Sequence, residues 1–264
     1  MEIKKEKDVR IRRFGPYRIL EHWVNAVLFA MLVLTGLPQK FHGYDLSQWI
    51  ILGLGGIESV RLIHRVSGLG LTLVLAQHIL AAMSGVLLFK WRPSMNIHKK
   101  DFQDNLDNLK YYLRLRKYPA CCDRFDYKQK FEYWGVVVGG ILMGATGLTL
   151  WFPTLITRVV PAMVVPNARA LHTNEALLAF LVIIIWHIYH VIFSPEVFPL
   201  DTVIFTGKIS RKRMAHEHPL ELARMEGKSL EEIVGHGPEQ VRCAPGEKEA
   251  ILPEPLLIKE GIEK

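Results

Sequence analysis

Two histidines, His187 and His190, lie in the otherwise apolar and aromatic stretch LVIIIWHIYHVIF at residues 181–193. Ionisable side chains in such a segment are costly and are usually functional. Four more histidines lie in or at the ends of long apolar blocks: His22, His64, His78 and His172. A single histidine of this kind is as easily a side chain that bonds a neighbouring helix. Six at regular spacing instead predict metal ligation, because neutral imidazole is a common metal ligand.

The spacing of four of these histidines indicates how they are arranged. His64 and His78 are 14 residues apart, and His172 and His187 are 15 apart. On α-helices these separations correspond to a rise of roughly 21 and 22 Å. After whole turns are removed, the second histidine of each pair is rotated about the helix axis by about −40° and +60° relative to the first. The two helices run in the same direction, so His64 lies level with His172 and His78 level with His187. This predicts two haem groups between the helices, each burying its apolar face in the bundle.

The remaining histidines leave the pairing open. His22 begins the first block, while His190 lies one turn beyond His187, so His22 and His190 reach about the same depth. They could ligate a third haem. Alternatively, His22 joins His187 or His190 at the second haem, and His78 is not a ligand. Two haems are the minimum, and six ligands would permit three. The sequence contains no CxxCH, so the haem is expected to be of the b type.

Four apolar blocks must hold these ligands in place. They cover about residues 22–38, 62–89, 131–152 and 171–193, and each is near the roughly 20 residues that cross a bilayer. The chain of 264 residues is half apolar, with a formal net charge of +7. This predicts an all-α fold, an integral membrane four-helix bundle that binds haem between its helices.

Basic residues are concentrated in three segments, 1–18, 91–130 and 194 onward, and the other two loops are nearly bare. The positive-inside rule therefore predicts a multi-pass protein of the cell inner membrane with both termini in the cytoplasm. The positive charge is expected to contact membrane lipid. Binding to nucleic acid is not expected, because the charge forms no compact basic domain. The three cysteines would lie on the reducing side, where disulfides are not expected.

Three domains are predicted: a basic cytoplasmic leader at 1–18, a four-span domain at 19–195, and a cytoplasmic tail at 196–264. Two helices are expected between the blocks. One covers DFQDNLDNLKYYLRLRKYP and ends before Pro119, and its aromatic and basic residues suit the membrane surface. The other is a short interfacial helix in LSQWIILGLGG, with Trp49 at the depth of the headgroups.

Four stretches together resemble the membrane cytochrome b family, in particular the gamma subunits of respiratory formate dehydrogenases and the b-type cytochromes of membrane Ni-Fe hydrogenases. They are EHWVNAVLFAMLVLTGLP, LIHRVSG, YKQKFEYW with TGLTLWF, and LHTNEALLAFLVIIIWHIYH. The resemblance covers about residues 10–195. It implies that His64 and His172 hold one haem, and that His22 holds the other with His187 or His190. The sequence departs from the family pattern by carrying His78 and one additional histidine in the fourth block.

The resemblance also implies a quinone site beside the inner haem, to which the segment before the third block contributes. The matching stretch is FDYKQK, with Asp126 and Lys128 at places where relatives tend to have Asn and Gly. A carboxylate beside a basic residue at the water interface can relay the protons that quinone reduction consumes. The alternative is a charged anchor for the third span. Arg65 and Arg169 are close in sequence to His64 and His172, and either neutralise haem propionates or contact lipid headgroups.

The leading hypothesis is a haem b membrane subunit that transfers electrons between the quinone pool and a partner redox subunit of a respiratory complex. No G-x-G-x-x-G follows a predicted strand, and no Cys-rich iron–sulfur motif is present. The chain is therefore not catalytic alone beyond quinone redox chemistry, and the partner is expected to be an iron–sulfur or multihaem cytochrome subunit. The alternative hypothesis is a non-redox transporter or scaffold in which the histidines relay protons.

Overall fold

The computed structural model describes residues 9–91, 93–195 and 197–234. Within them the chain is mainly helical. The helices in chain order are α1 (Pro16–Lys40), α2 (Asp45–Gly53), α3 (Ile57–Leu87), α4 (Lys99–Tyr112), α5 (Tyr127–Trp151), α6 (Pro153–Ile156), α7 (Val164–Leu181), α8 (Val203–Thr206), α9 (Arg211–Glu217), α10 (Pro219–Glu226) and α11 (Leu230–Val234). Two short strands, β1 (Arg10–Arg12) and β2 (Lys208–Ser210), pair in antiparallel fashion.

Four helices are long and apolar enough to cross a membrane: α1, α3, α5, and α7 extended to Phe193. This confirms the four predicted spans. Each helix begins several residues before its apolar block, because polar residues at the start continue the helix without adding to the apolar run. The fourth span changes its winding after Leu181, with two π-helical segments at Val182–His187 and Tyr189–Phe193.

Residues 17–92 and 134–201 form one compact unit that contains most of the four spans. Neighbouring spans approach each other closely at small residues. A β-carbon at Gly70 of α3 would lie 3.2 Å from a methyl group of Leu28 in α1, and one at Gly140 of α5 would lie 2.7 Å from a methyl group of Leu75 in α3. Gly70 and Gly140 therefore serve helix packing.

Among the described residues, 9–16, 93–133 and 202–234 form the second compact unit. Its buried apolar core is formed by Val203, Ile209, Met214, Leu222, Ala223 and Ile233. The sequence predicts the leader and the tail as separate segments. In the structure the β1–β2 pair joins them, with Arg10 opposite Ser210 and Arg12 opposite Lys208. The predicted tail residues Glu196 and 235–264 lie outside the described part of the chain.

The same unit has a polar network that is only partly buried. Arg13 donates to the backbone oxygen of Arg124 at 2.6 Å, and Asp123 pairs with Arg224 at 2.9 Å. His218 is 3% exposed, and its Nδ1 lies 2.8 Å from the backbone oxygen of Asp123. Burial lowers the pKa of His218 to about 3, so this side chain is neutral at physiological pH.

Of the two cysteines in the described part of the chain, Cys121 differs from expectation. Cys121 is fully buried and is part of a disulfide, whereas all three cysteines were expected to remain thiols. Cys122 is a free thiol, and burial raises its pKa to about 12. A thiol with such a pKa is unreactive at neutral pH, since the thiolate is the nucleophile.

Candidate functional site

The first histidine pair joins the start of α3 to the start of α7. The ring centroids of His64 and His172 are 6.4 Å apart. Both side chains are partly buried within the four-span unit. The structure thus brings together the two residues that the matching depths predicted.

Each histidine of this pair is held by a threonine on a neighbouring span. The Nδ1 of His64 lies 2.9 Å from Oγ1 of Thr35 in α1, and the Nδ1 of His172 lies 2.9 Å from Oγ1 of Thr146 in α5. Each hydroxyl donates its own proton to the carbonyl four residues earlier. Thr35 donates to Met31 at 2.6 Å, and Thr146 donates to Leu142 at 2.7 Å. The threonine oxygens therefore accept the Nδ1–H of the histidines. This assigns the tautomer and leaves Nε2 of each ring with the lone pair that an iron atom needs.

Glycine follows both threonines, and the histidine rings occupy the space that a side chain would take. A β-carbon at Gly36 would lie 3.0 Å from Cε1 of His64, and one at Gly147 would lie 3.3 Å from Cε1 of His172. In the first and third spans alike, the threonine thus bonds a histidine and the following glycine leaves room for its ring.

The second pair joins α1 to the π-helical part of the fourth span. The ring centroids of His22 and His187 are 6.2 Å apart, with the planes tilted by 31°. His22 also contacts the edge of Trp23, at 5.4 Å between ring centroids. Of the two partners left open for His22, the structure brings His187 close.

The π-helical segment explains why 15 residues separate the two histidines of the fourth span while 14 separate those of the second. A π turn takes up one more residue than an α turn. His187 therefore lies where the fourteenth residue of an unbroken α-helix would lie, at a residual angle of about −40° instead of +60°. The backbone supports this geometry: the amide of Ile188 donates to the carbonyl of Ile183, five residues back. Such π segments are frequent at functional sites.

Both ring separations fit an iron atom between two imidazoles. A metal–nitrogen bond is about 2 Å, and the centre of an imidazole ring lies roughly 1 Å from its nitrogen for bond lengths of about 1.3 Å. Two such distances on opposite sides of one iron sum to about 6 Å. The observed 6.2 and 6.4 Å match this. The pairs also lie on apolar spans, where a porphyrin face can be buried.

His78 has a different environment. Its Nδ1 is 2.7 Å from Oε1 of Glu21, and Arg18 lies within 3.3 Å of the same nitrogen and 2.9 Å from Oε2 of Glu21. The side chain of Glu21 is only 9% exposed. The structure therefore places His78 in an ionisable cluster with Glu21 and Arg18. Glu21 directly precedes His22 in the sequence.

His190 is partly buried and bonds within its own helix. Its Nδ1 is 2.8 Å from the backbone oxygen of Trp186, four residues earlier on the same helix, and its ring contacts that of Trp186 at 5.0 Å. The structure therefore does not group His190 with the facing pair His22 and His187.

The two predicted propionate partners are both exposed. The guanidinium of Arg65 lies 5.8 Å from the ring centre of Trp151, a cation–π contact. Arg169 lines a surface pocket with Val165 and Thr173, one turn before His172.

The predicted quinone residues precede and begin α5. Asp126 and Gln129 cap the start of the helix reciprocally: the amide of Gln129 donates to Oδ1 of Asp126 at 2.7 Å, and the amide of Asp126 donates to Oε1 of Gln129 at 3.1 Å. The ammonium of Lys128 lies 6.0 Å from the ring centre of Tyr127. Asp126 thus has a local role in starting the third span.

Sequence reasoning missed Thr35 and Thr146. The sequence did contain a signal, because each threonine begins a Thr-Gly-Leu triplet. In the first span this triplet starts twelve residues after the tryptophan of Glu-His-Trp, and in the third span twelve residues after the tryptophan of Glu-Tyr-Trp. This weak internal repeat relates the first span to the third.

A family model described as prokaryotic cytochrome b561 matches residues 13–203 of the chain. No curated protein matches the sequence.

Proposed function

Because the chain belongs to the prokaryotic cytochrome b561 family, and is thus a haem b protein of membrane electron transfer, we propose that it connects the quinone pool to a partner redox subunit. Haem b, when bound, supplies a one-electron carrier. The chain's own residues fix where that carrier lies and how its ligands are oriented. The observation that carries the proposal is the presence of two facing histidine pairs, with ring separations of 6.4 and 6.2 Å.

The proposed number of haems is two, one held by His64 and His172 and the other by His22 and His187. Support comes from the matching separations, from the threonines that orient the first pair, and from the π turn that aligns His187. The environment of His78 beside Glu21 and the bond between His190 and its own helix favour two haems over three.

The test is the ratio of haem to protein in purified single-residue variants. His64→Ala and His172→Ala are expected to lose one spectral component, and His22→Ala and His187→Ala the other. The matched controls are His78→Ala and His190→Ala, in which both components are expected to persist. Loss of a haem in either control would contradict the assignment, and absence of haem b from the wild-type protein would favour a histidine proton relay instead.

Two groups of residues support a quinone reaction. In the first, His78 is oriented by Glu21 and Arg18 and can donate a hydrogen bond to a quinone carbonyl. In the second, Asp126 supplies a carboxylate and Lys128 an ammonium group at the start of α5, and such groups can relay protons. The first group follows from the contacts in the structure, and the second from the family resemblance.

The quinone proposal is tested by the rate at which a quinol reduces the haem of variants with normal haem content. His78→Phe is expected to slow reduction strongly, whereas Asp126→Asn and Lys128→Gln are expected to slow it if they supply protons. Gln129→Ala disturbs the same helix cap as Asp126→Asn and serves as its control. Rates equal to wild type in His78→Phe, Asp126→Asn and Lys128→Gln would contradict both groups.

The proposed topology places both termini in the cytoplasm and the protein in the cell inner membrane. It is supported by the concentration of basic residues in the leader, in the loop between α3 and α5, and in the tail. Reporter fusions after residues 43 and 158, and after residue 118, are expected to report opposite sides of the membrane. Equal signals would contradict this orientation.

The proposed partner is an iron–sulfur or multihaem cytochrome subunit, because the sequence carries neither a dinucleotide fingerprint nor a cysteine cluster for an iron–sulfur centre. Purification of the tagged chain from its native membrane in mild detergent is expected to retain such a redox subunit. Recovery of the chain with no other redox protein, while haem is retained, would argue against a stable complex.

A further inference from the structure

The helix α4 and its C-terminal cap residue Leu113 carry large apolar side chains on one exposed side. Phe102, Leu106, Leu109 and Leu113 are 66, 56, 52 and 60% exposed. Their spacing of four, three and four residues places them within an arc of about 60° on one face. We call these four side chains the apolar ridge.

The opposite face of α4 is polar and buried. The ammonium of Lys130 binds both carboxylate oxygens of Asp101, at 2.8 and 2.9 Å. The side-chain oxygen of Asn108 accepts from the amide of Ala120 at 2.9 Å. A surface helix of a soluble domain usually buries its apolar face and exposes its polar one. In α4 the apolar face is exposed and the polar face is buried, and the hydrogen bonds of the polar face stabilise this orientation.

Exposed apolar surface of this kind marks a contact with lipid or protein. The charge around the ridge favours lipid. Basic residues with exposed side chains lie at both ends of the helix and beyond it: Lys99, Lys110, Arg114 and Lys117. The acidic residue Asp107 is paired with Arg116 and Lys110, so the rim of the ridge is net positive. This matches the anionic headgroups of a membrane surface.

The place of α4 in the chain supports the same surface. It lies between two candidate spans, joined to α3 by residues 88–98 and to α5 by residues 113–126. Both ends of α4 are therefore connected in sequence to helices that are long and apolar enough to cross a bilayer.

We propose that α4 is an interfacial helix that inserts its apolar ridge into an anionic bilayer surface. The ridge lies at the boundary between headgroups and acyl chains, and the basic residues contact lipid phosphates. The hydrogen-bonded polar face joins the helix to its own compact unit, so that lipid binding positions that unit. This proposal does not depend on the haem assignment.

The test uses the haem-loaded full chain in nanodiscs, with one cysteine at a time carrying a nitroxide label. Leu106→Cys and Leu109→Cys report the ridge. Gln103→Cys and Asn105→Cys, which are exposed on the same helix outside the ridge, are the matched controls. The chain without an added cysteine gives the background, which Cys122 is not expected to raise, because burial holds its pKa at about 12. Power saturation compares access by oxygen, which concentrates in the bilayer, with access by a water-soluble nickel chelate.

In nanodiscs that contain phosphatidylglycerol, the ratio of oxygen to nickel access is expected to be at least about threefold higher at the ridge positions than at the controls. The difference is expected to shrink in pure phosphatidylcholine and after Lys99→Gln, Lys110→Gln and Lys117→Gln together. Equal ratios at ridge and control positions would overturn the proposal. Exclusion of both reagents from the ridge would also overturn it, because that result indicates a protein partner. Equal insertion in both lipids would refute the requirement for anionic headgroups.

Discussion

Replacing Thr35 by valine removes one hydroxyl and changes little else in shape. Thr35 is fully buried, and its oxygen accepts the Nδ1–H of His64 at 2.9 Å. Valine offers no acceptor, so the imidazole N–H is left without this hydrogen bond. The same holds for Thr146→Val, which affects His172 at the same distance.

Two magnitudes follow from the lost bond. A buried donor without an acceptor costs about 1–3 kcal/mol, which corresponds to a roughly 5- to 150-fold weaker retention of haem. The bond also makes the imidazole a stronger electron donor, which favours the oxidised iron. If about 1 kcal/mol of this effect differs between the oxidation states, the midpoint potential rises by roughly 40 mV, since 59 mV corresponds to a tenfold change for one electron.

The assay is an optical redox titration of the purified protein, combined with the measurement of haem content. Thr35→Val and Thr146→Val should raise the potential of one haem and leave the other unchanged, while Thr35→Ser should restore the wild-type value. Thr149→Val is the matched control, because Thr149 makes the same bond to the carbonyl four residues earlier on an exposed face of α5. A potential within about 10 mV of wild type in both variants would refute the reasoning, since it falls far below the shift expected from one lost hydrogen bond.

Two further predictions concern space and protonation. Gly36→Ala places a β-carbon 3.0 Å from Cε1 of His64 and should reduce the haem content, whereas Gly135→Ala, where nothing lies within 4 Å, should leave it unchanged; equal content in both would contradict the spacing argument. His218 has a folded pKa of about 3, below the unfolded value of about 6.5, so its contribution to stability is complete above pH 6.5 and is lost as the pH falls toward 3, by about 1.4 kcal/mol per unit. Hydrogen exchange of residues 211–226 should show wild-type protection decreasing between pH 7 and pH 5 relative to His218→Gln; a constant difference would refute the assignment of neutral His218 bound to the carbonyl of Asp123.

The sequence alone determined the membrane class of the protein, the four spans and the set of histidines that are candidate ligands. The length of an apolar run is a local property, and the hydrophobic effect acts on it whatever the rest of the chain does. The match in depth between His64 and His172 also followed from local geometry, because both begin helices that run in the same direction and the rise per residue of a helix is constant.

The contact between the leader and the tail could not be predicted from local sequence patterns. Their charged residues carry no strong apolar period, so the sequence indicated two independent segments. Strand β1 nevertheless pairs with β2, almost 200 residues later in the chain, and the pairing contributes to one small core. Contacts between distant segments depend on the entropy of closing long loops and on the fit of the joined surfaces, and neither can be read from a local pattern.

Which histidine of the fourth span faces His22 was likewise decided by the tertiary structure. An unbroken α-helix would turn His187 about 100° away from the direction it takes after the π turn, and the position of that turn is set by packing in the bundle. The acceptors of His64 and His172 come from other helices, and so does the carboxylate beside His78. The sequence thus determined which residues are able to bind a metal, and the packing of the four helices decided which of them face each other, because a helix's rotation about its axis is fixed only by its neighbours.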